Sequence, residues 1–179
     1  MRLLNELLPG AWVIELDRLA DERGFFQKTY LKKTFLDMGI SFDCAEEYFS
    51  VSQKNVVRGM HFQTPPFDHG KFVYCPAGSV LDVLLDIRSG PSYGKTASIE
   101  LRATESLALY IPSGIAHGFK ALENQTMMIY KTSTAYAPEN DAGIAWDSFG
   151  FGWGVAVPTV SKRDQEHPSF GQFNTPFKL

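Results

Sequence analysis

Apolar and polar residues alternate with a period of two in several stretches of the chain, most clearly over residues 80–88. There Leu81, Val83, Leu85 and Ile87 share one face of an extended segment, and Asp82, Asp86 and Arg88 take the other. That is the pattern of a strand with one apolar face. Ahead of it, Lys71-Phe72-Val73-Tyr74-Cys75 runs into Pro76-Ala77-Gly78-Ser79, a turn composition, so the two segments predict a hairpin. Further strands are predicted at 25–30, 47–52, 56–62, 96–101, 107–111, 119–122 and 127–136, separated by turn-forming residues. One short helix is predicted over 32–38, stopped by Gly39. After Trp153 the period fades, and this tail is expected to pack over the strands as irregular structure with a turn of helix. Short, closely spaced strands with hardly any helix predict an all-β sandwich, jelly roll or barrel.

Composition narrows the picture. The chain has 179 residues and no repeat, low-complexity tract or Gly/Ser linker, so one domain over residues 1–179 is expected. Its 13% aromatic content, with Phe the commonest, favours sheet. Two cysteines, Cys44 and Cys75, are too few for a disulfide framework, and the opening Met1-Arg2-Leu3-Leu4-Asn5-Glu6 lacks the pattern of a signal peptide. A reducing cytoplasm is the expected compartment. No apolar run approaches the roughly 20 residues needed to cross a bilayer, so no membrane association is expected. A net charge of −3 without any Lys/Arg cluster argues against nucleic acid as a partner. It leaves a small anionic ligand open, because two or three convergent arginines suffice for a diphosphate.

The candidate chemistry centres on Arg58-Gly59-Met60-His61-Phe62-Gln63, with Lys71 eight residues beyond Gln63 and Ile115-Ala116-His117-Gly118-Phe119 much later. A neutral imidazole accepts a proton near physiological pH, and a nearby cation can hold the charge left when a carbon loses its proton. The combination suggests carbanion chemistry without a cofactor. Arg58 and His61 are three apart and would point to opposite faces of a regular strand; a bulge at Gly59 would let them converge. Asp82 sits in an apolar segment and needs a partner such as an imidazole N–H, for which His117 is the candidate. Tyr130 and Tyr136 share a face if their strand runs unbroken. Arg23-Gly24-Phe25-Phe26 suits a nucleotide, the guanidinium gripping phosphate and a ring stacking on the base.

Together these residues resemble the dTDP-4-dehydrorhamnose 3,5-epimerase family. The resemblance spans nearly the whole chain through Asp21-Glu22-Arg23-Gly24-Phe25-Phe26, the Arg58–Gln63 segment, Gly70-Lys71, residues 80–88, Ile111-Pro112-Ser113-Gly114-Ile115-Ala116-His117-Gly118-Phe119, Tyr130-Lys131-Thr132 and Gly143-Ile144-Ala145-Trp146-Asp147. It implies a cupin-type jelly roll, a homodimer exchanging strands, no metal, and a nucleotide-linked 4-keto-6-deoxyhexose as substrate. On matching positions it implies His61 as the base, Asp164 as the group orienting it, Tyr130 as the acid and Lys71 as the stabiliser of the enolate. Arg23 and Arg58 would hold the diphosphate, and His117 and Asp82 would line the sugar pocket.

Departures from the family pattern concentrate in one region. Glu46, Glu47 and Tyr48 stand where Gln, Asp and Asn are usual, and Lys28 stands where Glu is usual. Guanine, cytosine or another base is therefore open beside thymine, and Glu46 could accept two N–H bonds from guanine. Heptose and dideoxyhexose substrates are open too, as is inversion at one carbon only. Two rivals have other demands. A metal-dependent cupin would draw on His61, His69 and His117, yet the His-x-His pair that opens such sites is missing, since Gln63 follows His61 by two. A non-catalytic binding module would lack the base or the acid.

Overall fold

The period-two segments form two antiparallel sheets laid face to face, and apolar side chains from both inner faces fill the space between them. The computed structural model describes residues 1–178. In chain order come β1 (Arg2–Leu8), β2 (Ala11–Glu15), β3 (Asp17–Asp21), β4 (Gly24–Lys28), helix α1 (Lys32–Asp37), β5 (Glu46–Ser52), β6 (Val57–Gln63) and β7 (Lys71–Ala77). They are followed by β8 (Ser79–Asp86), β9 (Thr96–Arg102), β10 (Leu107–Ile111), β11 (Ile115–Ala121), β12 (Thr126–Thr132), β13 (Asp141–Gly143) and helix α2 (Lys162–Gln165). One sheet runs β1-β2-β10-β7-β12-β5 and the other β13-β6-β11-β8-β9, while β3 and β4 make a separate ribbon. This is the expected all-β architecture, a cupin-type jelly roll with short helices and an irregular tail.

The hairpin expected from residues 71–88 does not exist. β7 pairs with β10 and β12, and β8 with β11 and β9, so the chain changes sheets at Gly78. Gly78 has φ +76° and lies against Thr126, where a Cβ would stand 2.4 Å from Oγ1. The chain does turn at Gly78, because a corner between sheets uses the same residues as a hairpin turn. The strand expected over 127–136 ends at Thr132, which separates Tyr130, buried in β12, from Tyr136, exposed beyond it. β1, β2 and β3 carry no clean alternation and were not anticipated from the sequence.

Three apolar clusters explain the layering. Val73, Leu84, Leu109, Phe119 and Met128 pack between the sheets. On the outer face of the six-stranded sheet, Phe35 of α1 is fully buried and meets Phe72 edge-on, with centroids 5.0 Å apart. On the outer face of the five-stranded sheet, Val83, Leu85 and Ile87 lie under Trp153 and Phe177 of the tail. Both faces of β8 are thus covered, and its "polar" face points into the sandwich. Asp82 and Asp86 are fully buried there, each with a partner: His117 at 2.8 Å for Asp82, and Arg88 at 2.5 Å for Asp86.

The feature that shapes the site is a bulge in β6. His61 pairs with His117 and Arg58 with Phe119, so two residues of β6, Gly59 and Met60, oppose one of β11, Gly118. Gly59 occupies the irregular position with φ +127°, its Cα packed so closely on β11 that a Cβ would stand 2.5 Å from Gly118 Cα. A Gly59→Ala variant should lose about 1–3 kcal/mol from backbone strain alone, read as a lowered urea midpoint. A change below about 0.5 kcal/mol, the range of neutral surface substitutions, would show that the bulge tolerates a side chain.

Candidate active site

The bulge turns Arg58 and His61 toward one cavity, as the spacing through Gly59 allowed. The cavity has two lobes, of about 300 Å³ and about 270 Å³, which share Tyr48, His61 and Lys71 as walls. Glu46, Gln63, His69, Tyr136, Asp141 and Arg163 complete the first lobe. Ser50, Arg58, His117 and Tyr130 complete the second. Side chains from β5, β6, β7, β11 and β12 therefore converge across the open side of the sandwich.

Asp164 comes from the tail. Ser161 caps α2 by accepting the Asp164 N–H at 3.1 Å, which fixes the carboxylate over β6. Asp164 Oδ1 lies 2.8 Å from His61 Nε2, and Oδ2 accepts the Gly59 N–H at 3.1 Å. Burial by itself would raise this carboxyl, but the hydrogen bonds from His61 and Gly59 outweigh it and bring it down to about 2. Asp164 is therefore ionised, His61 carries its proton on Nε2, and Nδ1 keeps a free lone pair. Burial lowers the pKa of His61 and Asp164 opposes that shift, leaving a ring that is neutral at physiological pH and 29% exposed.

Lys71 opens β7 with its side chain inside the sandwich, where Nζ donates to the His61 carbonyl at 3.0 Å. Burial pulls it down to about 8, with Asp141 and Asp82 resisting, so it is a cation at neutral pH. Tyr130 in β12 stacks on Tyr48 with ring centroids 4.9 Å apart, and its hydroxyl lies 3.2 Å from Ser50 Oγ. Burial drives the Tyr130 phenol far upward, which keeps its proton on oxygen. The same cause raises Asp82 beneath His117. The arrangement sets a proton acceptor, a cation and a proton donor around one space, the equipment for taking a proton from one face of a carbon and supplying it on another.

Of the residues singled out from the sequence, His61, Lys71, Tyr130, Asp164, Arg58, His117, Asp82, Glu46, Tyr48 and Tyr136 are brought together. Tyr136 reaches the rim from the irregular segment after β12, donating its N–H to Glu46 at 2.6 Å. Glu47 faces away and pairs with Lys131. Arg23, Phe25 and Lys28 are not in the cavity. They belong to the β3–β4 ribbon, where Arg23 binds Asp21 at 2.5 Å, Phe25 lies under the Arg18 guanidinium at 3.8 Å, and Lys28 lines a separate depression with Glu15 and Phe26.

Sequence reasoning missed several walls of the site. His69 was weighed only as a metal ligand. Its Nδ1 faces the Gln63 amide nitrogen at 3.2 Å, and burial pushes it down to about 3, so it lines the cavity as a neutral ring. Asp141 and Arg163 pair at 3.0 Å. Only the adjacency of Arg163 to Asp164 hinted at this, and nothing marked Asp141, since β13 is three residues long.

Residues 5–172 match the family model described as dTDP-4-dehydrorhamnose 3,5-epimerase. A dTDP-4-dehydrorhamnose 3,5-epimerase of Shigella flexneri is 36% identical over 168 residues, 92% of this chain and 93% of that protein. Among solved structures, a dTDP-6-deoxy-D-glucose-3,5-epimerase from Legionella pneumophila in complex with dTDP-4-keto-L-rhamnose superposes with TM-score 0.91 at 30% identity, covering 97% of this chain and 94% of its own. A 3'-monoepimerase from Streptomyces bikiniensis in complex with dTDP-quinovose gives TM-score 0.86 at 27% identity, covering 94% and 87%.

Because the folded value of Asp164 lies below the roughly 3.9 of an unfolded aspartate, its stabilisation is present above about pH 4 and lost as pH falls toward about 2. Wild type should therefore exceed Asp164→Asn in urea-unfolding stability at neutral pH, with the gap closing in acid. A gap that stays constant down to about pH 2.5 would show that this carboxylate is not held in its charged form.

Proposed function

The chain belongs to the dTDP-4-dehydrorhamnose 3,5-epimerase family, and on that premise we propose that it inverts C3 and C5 of a nucleoside-diphosphate 4-keto-6-deoxyhexose. The observation that carries this reading is a neutral imidazole, held by a buried carboxylate, sharing one cavity with a buried ammonium and a protonated phenol. A ketone at C4 acidifies the protons on both neighbouring carbons. His61 Nδ1 removes one of them, Lys71 holds the negative charge that collects on the C4 oxygen, and Tyr130 returns a proton to the opposite face. Asp164 fixes the tautomer of His61 and stabilises the imidazolium. Arg58 holds the diphosphate. His117, oriented by Asp82, lines the sugar side, and Glu46 and Tyr136 stand at the rim where a base would enter.

Arg23, Phe25 and Lys28 take part through a second copy of the chain. Their ribbon is exposed and carries Leu19 and Phe26 uncovered, and the outer edge of β5 likewise exposes Phe49 and Val51. A homodimer that sets each ribbon against the partner's sheet edge would cover these apolar side chains and bring Arg23 to the diphosphate. Among the described residues no helix is long and apolar enough to cross a membrane, and Cys44 and Cys75 are both free. In this reading the reaction runs in the cytoplasm, with the chain acting as one unit.

A second reading, inversion at C3 alone, is favoured by the likeness to the monoepimerase. Deuterium from solvent should enter at both C3 and C5; label confined to C3 would establish that second reading. His61→Asn should abolish exchange at every carbon, whereas Tyr130→Phe should keep exchange and slow inversion, since removing a proton needs only the base. Exchange that survives in His61→Asn, or that falls with inversion in Tyr130→Phe, would overturn these roles.

The dimer has its own test. Arg23→Ala and His61→Asn, each inactive alone, should recover activity when mixed and reassembled, because one of the two sites then receives both native residues. No recovery would place Arg23 in its own chain's site. Binding of dTDP, GDP, CDP and UDP, read as shifts in Tm, should identify the base.

A further inference from the structure

Beyond the groups assigned to the reaction, His167 is a half-buried titratable side chain without a task. It follows Asp164 by three residues, just past α2, and its ring stands edge-on to that of His61 with centroids 5.7 Å apart and planes at 74°. Its side chain is 12% exposed, and its Nε2 is enclosed without a hydrogen-bond partner. That atom stops 3.8 Å from Asp164 Oδ1, the oxygen that holds His61 Nε2 at 2.8 Å. Room for the ring comes from Gly143, the residue of β13 paired with His61, where a Cβ would stand 2.3 Å from His167 Nε2.

We propose that His61, Asp164 and His167 bind a divalent transition-metal ion such as Zn²⁺, and that this ion switches the base off. Their ligand atoms all lie within 4.8 Å of one another. Tetrahedral zinc with nitrogen and oxygen ligands at about 2.0–2.2 Å spaces its donors by roughly 3.2–3.6 Å, so small side-chain rotations place all three on one ion. Two imidazoles and a carboxylate suit zinc, copper or nickel better than magnesium or calcium. Of the three ligands, His61 also lines the first lobe of the cavity. Lys71 and Arg163 oppose a cation here, and Asp141, paired with Arg163 at 3.0 Å, offsets part of their field.

The switch follows from the tautomer. In the metal-free site His61 Nε2 carries the proton shared with Asp164, which leaves Nδ1 basic. An ion needs the Nε2 lone pair, so the neutral ring must carry its proton on Nδ1, and that nitrogen can no longer accept one from carbon. No proton is gained or lost; only its position changes. The switch rests on the reading of His61 as the epimerase base, whereas the metal site does not.

The test is a titration of chelator-treated protein with Co²⁺, read by its visible ligand-field absorption, beside solvent deuterium exchange of a dTDP-4-keto-6-deoxyhexose. Wild type should bind one equivalent of Co²⁺, displaced by Zn²⁺, and the absorption should be lost in His61→Asn, His167→Leu and His167→Gln. Zn²⁺ should stop exchange in wild type, with EDTA restoring it, and should leave exchange unaffected in whichever His167 variants remain folded by circular dichroism. No Co²⁺ absorption in wild type, or absorption unchanged in a folded His167 variant, overturns the metal site. Absorption together with Zn²⁺-insensitive exchange overturns the switch. If chelated wild type does not exchange at all, the epimerase reading fails, and the Co²⁺ spectrum still decides the site.

Discussion

The contact on which the site depends is the grip of one carboxylate, Asp164, on His61 Nε2 and the Gly59 N–H, groups more than a hundred residues earlier in the chain. A single side chain thereby sets the tautomer of the proposed base, anchors the bulge that aims it and ties the irregular tail to β6. Each of these depends on the others. Without the bulge, His61 and Arg58 would face opposite sides of the sheet; without the capped turn of α2, the carboxylate would have no fixed position above the strand.

Burial supplies the remaining chemistry. In water a lysine, a histidine and a tyrosine would titrate in ordinary ranges and be screened from one another. Inside the sandwich, desolvation lowers Lys71 and His61 and raises Tyr130, so that at one pH the first is charged, the second is a neutral acceptor and the third keeps its proton. The low polarity that separates these states would also strengthen the pull of Lys71 on the anion of the proposed reaction. Asp82 and His117 form a bonded pair in the same medium, in which the ring satisfies one oxygen of a buried carboxylate and the other oxygen has no partner.

The cost of placing polar groups inside is met by the layers around them. Apolar residues cover both faces of β8 and shield the six-stranded sheet under α1, leaving uncovered apolar surface on the β3–β4 ribbon and the β5 edge. Those are the places where the folded chain is incomplete as a monomer in our reading. The ribbon also carries Arg23 and Phe25, which the cavity does not contain.

Alternation along residues 80–88, the short spacing of strands and the motifs around His61, Lys71 and His117 were enough to identify an all-β fold, its family and most of the groups in the cavity. These are local properties, written in side-chain period and residue type. The sequence could not say that β7 and β8 part into different sheets at Gly78, because hairpin turns and sheet corners draw on the same residues. Nor could it reveal that Tyr130 is buried while Tyr136 reaches the rim from irregular chain, or that His167 stands beside Asp164 and His61. Such facts belong to contacts between segments far apart in the chain, and only the packing of the tail and both sheets decides which side chains share an enclosed space and what charge each can carry there.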